Sequence, residues 1–201
     1  MPPTEPGDEG PRYREYRHCP RCGAPFRAED FHEAECLFLC AGCGLDFYQN
    51  PLPAAVLALT HPERPGALLF LKRSTPPGIG RWCVPGGFIR YGELPAAAAA
   101  REAREEVGVE AEIGPILRAG LVDYLYRGRR LCIVEIAFLA RPAGPLPAAT
   151  LVTPEASEIA WLEAAEVLAK PESLAFPEQA GILRAFLANP GLAVPPPARP
   201  G

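Results

Sequence analysis

The stretch from Gly87 to Val109 constrains this chain more than any other, because it joins a glycine-bearing turn to a run of residues built to be helical. Pro95 is tolerated in a first helical turn, the five alanines after it have the highest helix propensity, and Gly108 suits the residue that ends a helix. The spacing therefore predicts a helix over Pro95 to Val107. At about 100° per residue, Glu102, Glu105 and Glu106 share one narrow face, while Ala96, Ala99, Ala100, Ala103 and Val107 share another that can pack closely on a sheet. Carboxylates at i, i+3 and i+4 repel one another, so they belong either to a solvated surface or to a cation site, and spacing alone favours the surface.

The second constraint is the cysteines. Cys19 and Cys22 form one pair and Cys40 and Cys43 another, seventeen residues on, and each pair is followed by a glycine, Gly23 or Gly44. This is the spacing of a tetrahedral four-cysteine zinc site, with glycine permitting the tight turn that points backbone N–H groups at sulfur. Two disulfides, or four unrelated thiols, are the alternative. Cys36 is a rival ligand without the glycine-bearing knuckle, and Cys83 and Cys132 are expected as buried apolar fillers. A closed four-cysteine site has no open coordination position, so its zinc is structural and the chemistry must lie elsewhere.

Around these two features the chain organises itself. Strands are expected at Ala54 to Thr60 and Ala67 to Arg73, paired across the loop from His61 to Gly66, and further strands at Trp82 to Val84, Ile113 to Tyr126 and Leu131 to Ala140. Helices are expected at Glu163 to Ala169 and at Glu178 to Ala188, where Ile182, Leu183, Phe186 and Leu187 recur at helical spacing. Interleaved strands and helices make the class α/β or α+β. The turn residues Tyr48 to Pro51 mark a boundary between a zinc ribbon at residues 13–50 and a larger domain at 51–188. Residues 1–12 and the Pro-rich 189–201 are expected to be disordered tails. No apolar run approaches a membrane span, and no basic-then-apolar start marks a secretory signal, so a cytoplasmic protein is expected. The net charge of −4 argues against broad electrostatic binding of nucleic acid.

The segment opened above also resembles the Nudix box. It reads Gly87, five residues, Glu93, seven residues, Arg101-Glu102, Ala103, any residue, Glu105-Glu106, any residue, Gly108 and the aliphatic Val109. Only Ala103 departs, being small where that family prefers a bulkier aliphatic residue. The approach Trp82 to Gly87 is similar to the family's as well. The resemblance covers about Asn50 to Ala188 and implies an α/β/α sandwich that hydrolyses the diphosphate of a nucleoside-diphosphate derivative. It implies Glu102, Glu105 and Glu106 as Mg²⁺ or Mn²⁺ ligands, a backbone carbonyl from Gly86 or Gly87 beside them, and Glu93 and Arg101 as residues that hold those ligands in place. Glu155, in an acidic loop before a late strand, is the expected general base, with Glu158 the alternative.

Among Nudix enzymes with zinc ribbons, the connector Phe47 to Pro51 and the run Ser173 to Phe176 are similar to a shorter group that includes FAD and ADP-ribose pyrophosphatases. The Ser-Gln-Pro-Trp signature of NADH pyrophosphatases has no counterpart between Gly114 and Ala140. ADP-ribose or FAD is therefore the expected substrate, with NADH or an NAD cap, or a binding module on a Nudix scaffold, as alternatives. Phe88, Tyr124 and Tyr126 offer aromatic faces for a base. At Arg90 the family more often places an acid, so Arg90 is expected either to pair with Glu93 or to meet the substrate's anionic groups. Relatives imply a homodimer.

Overall fold

The computed structural model describes residues 16–126, 129–144 and 154–192, with side chains left out at 124–126 and 129–130. Both expected tails fall largely outside this range. The chain divides into two compact units, Met1–Pro51 and Leu52–Gly201.

In the first unit, β1 (Phe31–His32), β2 (Leu37–Leu39) and β3 (Asp46–Tyr48) form an antiparallel sheet in the order β1-β2-β3. Its core is aromatic. Phe38 is fully buried and meets Phe26, Phe31 and Phe47 at ring-centroid distances of 4.6, 4.8 and 6.4 Å. So few residues bury little apolar area, and a module of this size needs a further constraint such as a bound metal.

The second unit contains two sheets. One has the order β7-β4-β9-β8, from Gly86–Phe88, Leu52–Leu59, Arg129–Pro142 and Ala111–Tyr126, and the other the order β10-β5-β6, from Ala156–Glu163, Ala67–Arg73 and Trp82–Cys83. Strand β4 runs parallel to β9, from Leu52 opposite Ile133 to Leu59 opposite Ala140, a pairing that requires a long crossover. Helix α1 (Pro95–Val107) lies within that crossover. Alternation along β4 separates two cores. Ala55, Leu57 and Leu59 face Ala98, Ala99, Ala103 and Val107 of α1. Val56 and Ala58 face the opposite side, with Val167 of α2 (Ala164–Leu168) and Ile182 and Leu183 of α3 (Ala180–Ala188). This is the α/β/α sandwich of an α+β protein.

Three expectations need correction. Strands β4 and β5 do not pair as a hairpin in one sheet; an isolated bridge joins Thr60, just past the end of β4, to Leu68. Each already has both edges occupied, β4 by β7 and β9, β5 by β10 and β6, so neither has an edge left for the other. Within α1, Ala98 is buried and Ala96 exposed, because the first turn stands clear of the sheet. Cys132 is exposed although Cys83 is buried as expected; on β9 it is Ile133, Glu135 and Ala137 that turn inward.

Candidate active site and metal centre

The turn before α1 and the helix itself are held together by one guanidinium. Arg101 Nε and Nη2 donate to the two oxygens of Glu93 at 2.8 and 3.0 Å, a bidentate pair. Its Nη1 donates to Glu102 and, at 3.1 Å, to Glu105, while Nη2 also reaches the Phe88 carbonyl at 3.0 Å. Hydrogen bonds from Arg101 and from the Arg90 amide hold the Glu93 carboxyl down to about 2. Arg101 is raised above its ordinary value, chiefly by Glu93. The residue thus fixes the β7-to-α1 turn and aligns two of the three clustered acids.

The third acid is held differently. Glu106 accepts from the Gly86 amide at 2.8 Å, and burial pushes its carboxyl up to about 8 against that hydrogen bond, with the charges of Glu102 and Glu155 adding to the rise. Gly87 explains how Glu102 comes so close to β7. A Cβ there would stand 2.5 Å from Glu102 Oε1, so a side chain would displace the carboxylate. Glu102 and Glu106 therefore converge on the Gly86-Gly87 strand end. Glu105 turns instead to Arg101 and to Arg90, whose Nη2 lies 3.3 Å away. Among the described residues, the three acids do not close into a compact cluster as the cysteines do.

These carboxylates fit a hard divalent cation. Two oxygen donors crowded at a partly desolvated strand end are the ligands Mg²⁺ takes, and a cation would offset both the burial that chiefly raises Glu106 and the smaller repulsion from its neighbours. The other expected residues are distributed around them. The Arg90 amide donates to Glu93 at 2.9 Å, but its guanidinium goes to Glu105, the partner the sequence did not indicate. Glu155 is close enough for its charge to raise Glu106, whereas Glu158 pairs with Lys72 at 3.1 Å. Phe88, 41% exposed, is among the residues that line a cavity. Tyr124 lies in β8, and its side chain, like that of Tyr126, is outside the described part of the structure.

That cavity, of about 90 Å³, reaches from Glu106 and Gly86 to Glu135 on β9 and Gln179 before α3. The last two escaped the sequence reading. A carboxylate in the otherwise apolar run Ile133 to Ala140 was the available signal, since a lone charge in a buried strand needs a reason. Gln179 gave none.

In the first unit, the sulfurs of Cys19, Cys22, Cys40 and Cys43 lie within 4.8 Å of one another. Cys19 and Cys43 are 3.7 Å apart and Cys22 and Cys40 3.6 Å. Four thiolates about 2.3 Å from one tetrahedral zinc would stand about 3.8 Å apart, so the set fits that ion. Gly23 and Gly44 take φ of 75° and 68°, closing the two knuckles. Burial opposes ionisation, but hydrogen bonds from the Cys22 and Arg21 amides outweigh it at Cys19 and bring that thiol down to about 7. Cys36 stands outside the group and donates to the Glu33 carbonyl at 3.7 Å.

An α/β/α sandwich with its acidic helix set against a Gly-Gly strand end could hold a cation beside a cavity. The chain belongs to the Nudix family, whose NUDIX domain matches residues 51–186. It is 32% identical over 96 residues to the NAD-capped RNA hydrolase NudC of Stutzerimonas stutzeri, covering 48% of this chain and 32% of that protein. It is 31% identical over 77 residues to the ADP-ribose pyrophosphatase of Methanocaldococcus jannaschii, covering 38% of this chain and 44% of that one. With the NAD-capped RNA hydrolase ndx-9 of Caenorhabditis elegans it shares 33% identity over 98 residues. The match covers a quarter to a third of the length of the NAD-capped RNA hydrolases. A NUDIX hydrolase from Nitrosomonas europaea has the same fold, with a TM-score of 0.64 and 24% identity over 90% of this chain and 95% of that one. Among the described residues, no helix is long and apolar enough to cross a membrane.

Proposed function

We propose that this protein hydrolyses the diphosphate of a nucleoside-diphosphate derivative, with ADP-ribose or FAD as substrate, to a nucleoside monophosphate and a phosphorylated remainder. The observation that carries the reading is the convergence of Glu102 and Glu106 on Gly86-Gly87, beside a cavity that Glu106 and Gly86 help to line. Glu102, Glu105 and Glu106 are the residues that would hold Mg²⁺ or Mn²⁺, with the Gly86 carbonyl available beside them. The bound cation supplies charge neutralisation for the diphosphate and a water of lowered pKa. Arg101 and Glu93 keep the acids oriented, which is the outer support a hard-metal site requires. Glu155, beside Glu106 electrostatically, takes the proton from the attacking water. Arg90 exchanges Glu105 for the substrate's phosphate oxygens.

The preference for ADP-ribose or FAD rests on the absence of a Ser-Gln-Pro-Trp signature after the box and on the similarity to an ADP-ribose pyrophosphatase. Similarity to proteins named NAD-capped RNA hydrolases supports a second reading, the same cleavage on an NAD cap or NADH. The test is a panel of ADP-ribose, FAD, NADH and NAD-capped RNA with Mg²⁺ and Mn²⁺. AMP released fastest from ADP-ribose or FAD supports the first reading, and fastest release from NADH or capped RNA the second. No turnover with either metal overturns both. The ribbon holds Zn²⁺, and the assembly is a homodimer, which sedimentation would test.

A further inference from the structure

Between β6 and β7 the chain leaves one sheet for the other through Val84 and Pro85, both buried and belonging to neither strand. A buried backbone N–H must find an acceptor, and for Val84 a side chain supplies it: Gln179 Oε1 accepts from that amide at 3.2 Å. One residue on, the Pro85 carbonyl accepts from the Leu57 amide at 2.9 Å, and after it the Gly86 amide donates to Glu106 at 2.8 Å. Three hydrogen bonds thus fix the crossing. Two of them are made by side chains, one the candidate metal ligand Glu106 and the other Gln179. The strand end has no slack on its far side, since a Cβ at Gly86 would stand 2.5 Å from the Ala55 carbonyl oxygen. In so close-packed a contact, a shift at Val84 passes on to Gly86.

Gln179 is itself held. At 2% exposed, with Glu135 at 6%, it is one of two buried polar side chains among the described residues of the second unit. Its Nε2 donates to Glu135 Oε2 at 3.2 Å. An acceptor at Glu135 and a donor at Val84 are satisfied together by only one orientation of the amide, so the carboxylate selects the one that presents oxygen to Val84. The backbone leading to Gln179 is tied to the same place, where Leu174 bridges Trp82 and the Ala175 amide donates to the Trp82 carbonyl at 2.8 Å. Burial raises the Glu135 carboxyl, and the hydrogen bond from Gln179 acts against that rise.

We propose that Gln179, oriented by Glu135, is a positioning residue for the metal site: its bond to Val84 fixes the strand end from which the Gly86 amide holds Glu106. The inference rests on the hydrolase reading above, in which Glu106 is a metal ligand. Gln179 acts through Val84 and Gly86, as the outer support of a ligand rather than a ligand.

An exchange of the two side chains tests this. Gln179→Glu keeps an acceptor for Val84 but sets carboxylate against carboxylate at Glu135. Adding Glu135→Gln restores both bonds with the roles exchanged, because the carboxylate at position 179 then accepts from Val84 and from the new amide at position 135. Two quantities are measured: Mn²⁺ binding without substrate, from the paramagnetic resonance of the free ion, and hydrogen exchange of the Gly86 amide without added divalent metal. Q179E should weaken Mn²⁺ binding about tenfold to a hundredfold, although an added negative charge alone would tighten it. Exchange at Gly86 should quicken at least about tenfold while buried amides of β4 and β9 keep their rates, which general destabilisation would not produce. The double variant should return both quantities to within about threefold of the wild type. A folded Q179E with the wild-type value of either quantity overturns the assignment. So does a double variant that fails to fold or keeps the values of Q179E, and this arm decides alone where Q179E does not fold. If Glu106→Gln binds Mn²⁺ like the wild type, the metal reading fails instead, and Gly86 exchange then decides the role of Gln179.

Discussion

At the scale of single residues, Glu106 and Arg90 differ in what they respond to. Glu106 is desolvated and crowded, so its proton affinity is high in the absence of a cation. With a folded value of about 8 against an ordinary 4.5, the folded state binds a proton that the unfolded state has released between those pH values. Stability of metal-free protein should therefore fall as pH rises from about 4.5 through 8. Thermal melts in chelator across that range check this, and Glu106→Gln should flatten the slope. The same variant should lower kcat by at least about a hundredfold with the fold kept, because the amide preserves shape while losing a metal ligand. Near wild-type kcat at saturating Mg²⁺ would remove Glu106 from the site. Arg90 is expected to act earlier in the cycle. Its side chain is 63% exposed and pairs with that of Glu105, 49% exposed, an exchangeable pairing worth little on its own. Arg90→Glu should raise KM for diphosphate substrates severalfold with a smaller effect on kcat, and unchanged KM would leave Arg90 with a purely local role.

At the scale of elements, α1 was legible in the sequence because everything that defines it is local. Pro95, the alanine run and Gly108, which takes φ of 66°, lie within fourteen residues, and so do Glu102, Glu105 and Glu106. Strand partners were not legible in the same way. The apolar runs at β4 and β5 showed that both are buried but carried no information about which edges are filled, and the hairpin expected between them was displaced by β7, β9, β10 and β6. Glu135 and Gln179 were hidden for the same reason, being 44 residues apart and joined only by the fold. The inner face of α1 yields a test of the one departure from the family pattern. Ala103 is fully buried against β4 and β9 residues such as Leu57 and Phe138. The small side chain lets the helix approach closely, so a bulkier aliphatic residue has no room without a shift. Ala103→Leu should destabilise by about 1–3 kcal/mol in urea unfolding, and a neutral or stabilising result would show an adaptable interface.

At the scale of the whole molecule, the two units are stabilised by different means. The unit from Leu52 onward contains three hydrophobic clusters with members from Ala54 to Leu183, and in each the buried residues are its own. The unit ending at Pro51 has a small aromatic core around Phe38 and four thiols gathered at the right separation for one ion. In a module of that size, the free energy of metal binding is largely free energy of folding. Purified protein should accordingly contain one tightly held zinc per chain by elemental analysis. Chelation, or Cys19→Ser or Cys43→Ser, should expose the first 51 residues to limited proteolysis while the NUDIX domain stays resistant and keeps its turnover once Mg²⁺ is restored. The order of events is the discriminating observation. Loss of AMP release at the same chelator concentration that releases zinc, with Mg²⁺ held in excess, would mean that the ribbon supports the catalytic unit, whereas protein prepared without chelator that contains no zinc would refute the metal assignment itself.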